Sequence, residues 1–165
     1  MINKTYLCPS DKKYACSWEG LSDDILEHFN EEHEDLLSYT NSVSINLDVE
    51  SENRLIFSDT EIYLLQTKLI EENLCIYLRY LGPTKIAAKI SFDINIKLDG
   101  KKLDKRSILV KQGFFSISLE CLKEFFGDVN VINCIVLVSG DFKSNSSDDG
   151  VFLEFESGPK EDQCD

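Results

Sequence analysis

The sequence predicts a mostly β chain: a small Cys/His-bearing module, then an antiparallel β-sandwich with one short helix. Three observations carry this. Both histidines of the chain, His28 and His33, follow two cysteines, Cys8 and Cys16. After Leu37 the apolar periodicity changes from about 3.6 to 2. From there short apolar runs recur between polar turn residues, with a single helix-like segment late in the chain.

The bulk properties bound the answer. A chain of 165 residues holds one ordinary domain, or a small module and a domain of about 100 residues. Its hydrophobic content of 42% supports a core and excludes wholesale disorder. A formal net charge of -13 disfavours nucleic acid and anionic membrane surfaces, which need a concentrated basic face. No stretch approaches the roughly 18 apolar residues of a membrane span. The start, MINKTYLCPSDKK, lacks the apolar segment of a secretory leader. The expectation is a cytoplasmic or nuclear protein. In that setting Cys8, Cys16, Cys75, Cys121, Cys134 and Cys164 serve metal binding or burial better than disulfides. Cys75 and Cys134 lie in apolar runs and read as core, Cys121 sits in the helix-like segment, and Cys164 falls in the polar tail.

The first module, residues 1–36, is carried by CPSDKKYACSWEGLSDDILEHFNEEH. Its spacing is Cys8-x7-Cys16-x11-His28-x4-His33. The second half matches a Cys2His2 zinc site, in which a β-knuckle presents two thiolates and the next helix brings two imidazoles to the same point. One structural Zn2+ is therefore expected on Cys8, Cys16, His28 and His33. Seven residues between the cysteines is longer than the usual knuckle, so PSDKKYA makes a small excursion. Ser22 is the expected N-cap, with Asp23 and Asp24 at the positive end of the helix. Ile25, Leu26 and Phe29 are the apolar face, and the helix must end or distort near His33. From Glu19 to Asp35 there are eight acidic residues and no Lys or Arg. Phosphates would repel such a helix, so it is a structural clip or a protein-binding surface rather than a DNA reader.

The second domain is expected over residues 37–157, ahead of a disordered acidic tail, 158–165. SVSINLDV puts Val43, Ile45, Leu47 and Val49 on one face. RLIFS puts Leu55 and Phe57 inward, leaving Arg54 and Ile56 outward. EIYLLQTKLI and LCIYLRYL follow, separated by polar EEN. SFDINIKLDGKKL turns Phe92, Ile94, Ile96 and Leu98 inward, and Asp99-Gly100 signals a hairpin. RSILV and FFSIS are shorter strand candidates. SLECLKEFFG reads as a helix capped by Ser118 and stopped by Gly127, burying Leu119, Leu122 and Phe126. VINCIVLVSG, almost continuously apolar, reads as a strand covered on both faces. SNSSDDG is a loop and VFLEFES a last strand.

No catalytic residue emerges. A histidine base needs a free imidazole, and both are assigned to metal. Four protein ligands close the zinc, and the eight glycines form no phosphate loop. The chain reads as a non-enzyme.

The order of parts resembles the C-terminal half of the seven-in-absentia (SIAH) family. The resemblance rests on CSWEG (Cys16 to Gly20), EHFNEEH (Glu27 to His33), YLGPTKIAAKISFDINIKLDG (Tyr80 to Gly100) and the FFG ahead of an apolar strand. It covers roughly residues 5–140. It implies a second zinc finger followed by a TRAF-like sandwich that dimerises and recruits protein partners to a ubiquitin ligase. The family's RING domain, which would precede the fingers, has no counterpart here, so ubiquitin transfer by this chain alone is not expected.

The resemblance further implies that an extended peptide lies beside an edge strand. Leu37 and Tyr39 then sit on the strand beside the peptide, and Arg54 and Ile56 on the facing strand. Arg54 replaces a family Trp, which alters the apolar pocket. Leu37 and Tyr39 otherwise pack the finger onto the sandwich. The leading expectation is a RING-less, dimeric adaptor that binds protein partners. The alternatives are the substrate-binding half of a longer ligase and a purely structural dimeric scaffold.

Overall fold

The computed structural model describes residues 5–10, 14–82, 89–104, 108–109 and 114–139. The expected loop at SNSSDDG, the last strand over residues 151–157, the tail 158–165 and Cys164 lie outside them, as does part of the LGPTK segment. Among the described residues the chain is mostly β, with two α-helices. A ribbon of β1 (Thr5–Leu7) and β2 (Glu19–Leu21) precedes α1 (Ile25–Glu32). Then come β3 (Leu37–Ser38), β4 (Ser42–Asn46), β5 (Ser51–Ser58), β6 (Glu61–Ile70) and β7 (Asn73–Tyr80). The last elements are β8 (Ser91–Leu98), β9 (Lys101–Asp104), β10 (Ile108–Leu109), β11 (Phe114–Ser118), α2 (Leu119–Phe126) and β12 (Val131–Ser139).

Two sheets form. One has the order β11-β7-β6-β5-β3; the other runs β10-β8-β12-β4, with β9 also paired to β8. All described pairings are antiparallel except β3 with β5, which is parallel. That exception follows from connectivity, because β3 leaves the α1 module and runs alongside β5 without a hairpin. The sheets share one core. Val43, Ile45, Phe92, Ile94, Ile96, Ile132, Cys134 and Val136 face Ile56, Tyr63, Leu65, Ile76 and Leu78, and Leu122 of α2 closes one side.

A second cluster lies on the other face of the β5–β6 ladder. Ile25 and Phe29 of α1, with Leu36, pack on Leu55, Leu64 and Leu81. The strands beneath are therefore apolar on both faces. This reverses one reading. Ile56 was expected to face a ligand, but only 2% of it is exposed and it points into the inter-sheet core. Its neighbour Leu55 is buried as expected, though against α1. In β12, by contrast, Ile132, Cys134 and Val136 are buried while Val131 and Leu137 are 45% and 44% exposed. The outer face of that apolar run is covered only in part: Ile135 is half-buried there and its cross-strand partner Asn95 is buried.

Ser118 caps α2 as expected, its Oγ accepting from the Cys121 amide at 3.1 Å, and Gly127 ends it at φ 86°. Ser22 does not cap α1: it opens a 3-10 turn over Ser22–Asp24, and α1 starts at Ile25 with no side-chain cap. Cys75 and Cys134 are buried free thiols. Cys121 departs from the thiol reading, being disulfide-bonded.

Three two-residue turns join β5–β6, β6–β7 and β8–β9, each with positive φ at both residues: Asp59-Thr60, Glu71-Glu72 and Asp99-Gly100. Such turns match the strands' right-handed twist and favour Asn-Gly. Glu71-Glu72 holds two β-carbons in the left-handed region and sets two carboxylates side by side. Replacing the pair by Asn-Gly is expected to raise stability by about 1–2 kcal/mol. A thermal melt that does not move up would overturn this.

Candidate metal centre

The four residues singled out by spacing converge. Cys8 follows β1, Cys16 precedes β2, His28 projects from α1, and His33 is its C-cap. Their ligand atoms lie within 4.8 Å of one another. Cys8 Sγ is 3.2 Å from His28 Nε2 and 3.4 Å from His33 Nε2, and Cys16 Sγ is 3.5 Å from His28 Nε2. A tetrahedral ion with bonds of about 2.3 Å to sulfur and about 2.0 Å to nitrogen sets its S···N edges at about 3.5 Å. The observed separations fit that edge.

The local chain explains the convergence. The β1–β2 ribbon brings the cysteine-bearing ends together, held by the Cys8 amide donating to the Trp18 carbonyl at 2.9 Å. The helix then ends where the ligands require it. The His33 amide donates to the Phe29 carbonyl, and His33 itself leaves helical geometry at φ -140°. That break lets imidazoles five positions apart meet one point.

Electrostatics favour a cation. Without one, burial pushes the Cys8 thiol up and, with the nearby His33, pushes His28 down. Both groups then stay uncharged. A divalent ion would supply the positive charge that stabilises thiolates in this partly dry site. Ser10 already sits as a thiolate partner, its amide 3.5 Å and its hydroxyl 3.1 Å from Cys8 Sγ. His33 Nδ1 is buried with no partner among the described residues, a cost of about 1–3 kcal/mol that a metal bond at Nε2 would offset.

Three side chains outside the ligand set hold the site. Trp18 stacks flat on His28, with centroids 4.5 Å apart and planes 3° from parallel. Phe29 meets both imidazoles edge-on. Asn53 of β5 donates to the Pro9 carbonyl at 2.8 Å, tying the cysteine knuckle to the sheet. Spacing alone did not reveal Phe29 or Asn53, whereas the W-x-G triplet was a visible signal for the stack. A β-carbon on Gly20 would lie 2.3 Å from Trp18 Cζ2, so only glycine lets the indole reach His28. Gly20→Ala is expected to push Trp18 off His28, costing about 1–3 kcal/mol and weakening metal retention. Trp18 is the one tryptophan in the chain, so its emission reads the displacement; unchanged emission and retention would refute it.

The expected partner residues are placed as follows. Leu37 pairs with Leu55 and packs on the α1 cluster. Tyr39 is 58% exposed, its ring edge-on to Phe57 and its hydroxyl 3.4 Å from Asn30 Oδ1 of α1. Arg54 is engaged internally, bridging Glu52 at 3.0 Å and donating to the Asp35 carbonyl at 3.3 Å. Phe57, expected inward, is half-buried beside Tyr39. Leu37, Tyr39 and Phe57 thus gather at the seam between module and sheet, while Ile56 does not join them.

No protein-family model matches the chain, and no curated protein matches it at a significant level. No helix among the described residues is long and apolar enough to cross a membrane.

Proposed function

We propose that the chain is a non-catalytic protein-interaction module, a RING-less seven-in-absentia-like adaptor. One structural Zn2+ clips its N-terminal finger to a TRAF-like sandwich. The observation that carries this reading is the seam. A closed Cys2His2 cluster and its helix pack on the β5–β6 ladder and present the exposed ring of Tyr39 beside a two-residue edge strand, β3. A partner segment pairing outside β3 gains backbone hydrogen bonds there, with Tyr39 and Phe57 as apolar contacts. Arg54 shapes the edge from within through Glu52 and Asp35. Val131 and Leu137, exposed on the outer face of the β4–β12–β8 sheet, support self-association as a homodimer. The finger-then-sheets order equally supports a second reading, the substrate-binding region of a longer ubiquitin ligase.

Quantitative affinity capture tests the seam, with the wild-type chain beside the double variant Tyr39→Ala, Arg54→Glu. A specific partner that is lost from the double variant, with the melting temperature held, supports it. Equal capture by both removes the seam from the reading. Polyubiquitin chains formed by the purified protein with activating and conjugating enzymes would overturn the non-catalytic assignment.

A further inference from the structure

Beside the β5–β6 turn a cavity of about 260 Å³ lies between the two sheets. Ile56, Leu78, Val136 and Val138 form apolar walls, and Tyr63 and Asp59 supply polar groups. Tyr63 is only 3% exposed, yet its hydroxyl makes no hydrogen bond among the described residues. The hydroxyl is not sealed off; it opens onto the cavity, where it is free to accept. Its surroundings are negative: the charges of Glu61 and Asp59 add to burial in pushing the Tyr63 hydroxyl up. Glu61 also accepts from the Tyr80 hydroxyl at 2.5 Å. No lysine, arginine or histidine among the described residues lines the cavity.

Three properties select an occupant. The walls suit an alkyl stem. The rim carries a carboxylate, and an orphan hydroxyl oxygen waits as an acceptor. The volume falls below the roughly 300–1,000 Å³ of sites for whole small ligands, which suits one side chain. We propose that this cavity takes a single lysine or arginine side chain from a partner segment. Its stem lies along Ile56, Leu78 and Val136, and its head donates to Asp59 and the Tyr63 hydroxyl. Long cationic side chains divide themselves between apolar wall and polar rim in this way. The occupant's source rests on the interaction-module reading; the pocket itself does not, and a small cation tests it without any partner.

The test is a titration of the 15N-labelled full-length chain with n-pentylammonium and n-butylguanidinium, followed by amide shifts. The uncharged control is n-hexanol. Saturable shifts at residues 58–63 and 136–138, in the millimolar range for the cations and at least about tenfold weaker for the alcohol, are expected. Asp59→Asn should weaken cation binding about tenfold, since it removes a charge-assisted hydrogen bond. Asparagine tolerates the positive φ of 51° at that position, so the turn survives. Tyr63→Phe should weaken it by a smaller factor without lowering the melting temperature. Equal binding of hexanol overturns the proposal in favour of a plain apolar pocket. Shifts absent from these segments, or indifference to Asp59→Asn, overturn it outright.

Discussion

Chelation of freshly purified, reduced protein is expected to release about one zinc per chain and to unfold the first module ahead of the rest. Structural zinc contributes roughly 10–16 kcal/mol in isolated finger peptides, far more than the apolar contacts of one short helix. Loss of the ion leaves two cysteines and two histidines converged without a shared partner. It also removes the Nε2 bond that offsets the cost of the buried, unpartnered His33 Nδ1. Hydrogen exchange should rise across Ile25–Glu32 while β7 and β8 stay protected, because their core is separate. Acid should act in the same direction, since protons compete with the metal for thiolate and imidazole. Elemental analysis that finds no zinc, or exchange that rises equally everywhere, would refute this.

Leu55→Ala and Ile56→Ala are expected to damage different halves of the protein, although the residues are adjacent. Leu55 lies wholly inside the α1 cluster, and Ile56 belongs to the inter-sheet core. Each truncation should cost about 2–5 kcal/mol. Leu55→Ala should loosen α1 and speed metal loss. Ile56→Ala should loosen β4, β8 and β12 and leave metal retention intact in the protein that remains folded. Metal-loss kinetics and exchange maps separate the two, and identical maps would mean that the two clusters are not distinct.

The Cys2His2 cluster was legible in the sequence because few residue types bind metal ions and both histidines stand in one short stretch. The helix end at His33 was legible for a geometric reason, since the two imidazoles must meet. Strand alternation was legible where one face is polar, as opposite Val43 and Ile45 or Phe92, Ile94 and Ile96. It failed at Arg54-Leu55-Ile56-Phe57. There α1 covers one face and the second sheet the other, so both parities are apolar and periodicity cannot say which residue faces which neighbour. Consecutive burial of Tyr63, Leu64 and Leu65 marks the same doubly covered ladder. In VINCIVLV the composition suggested two covered faces, but composition does not encode how far the outer face is covered, and Val131 and Leu137 stay exposed. Asp99-Gly100 announced its turn. Glu71-Glu72 did not, because strand twist imposes positive φ there against the residues' own preference.

The position of β12 governs how the chain must assemble. It is the last described strand, yet it pairs on one side with β4 and on the other with β8. The β5–β6–β7 ladder needs only neighbours in sequence and forms early. During synthesis, then, α1 and the meander can take shape on the ribosome while β4 and β8 wait with open edges for a keystone not yet made. Until residues 131–139 emerge, those two strands lack the partner that joins them. A chain stalled before Val131 presents bare strand edges suited to self-aggregation.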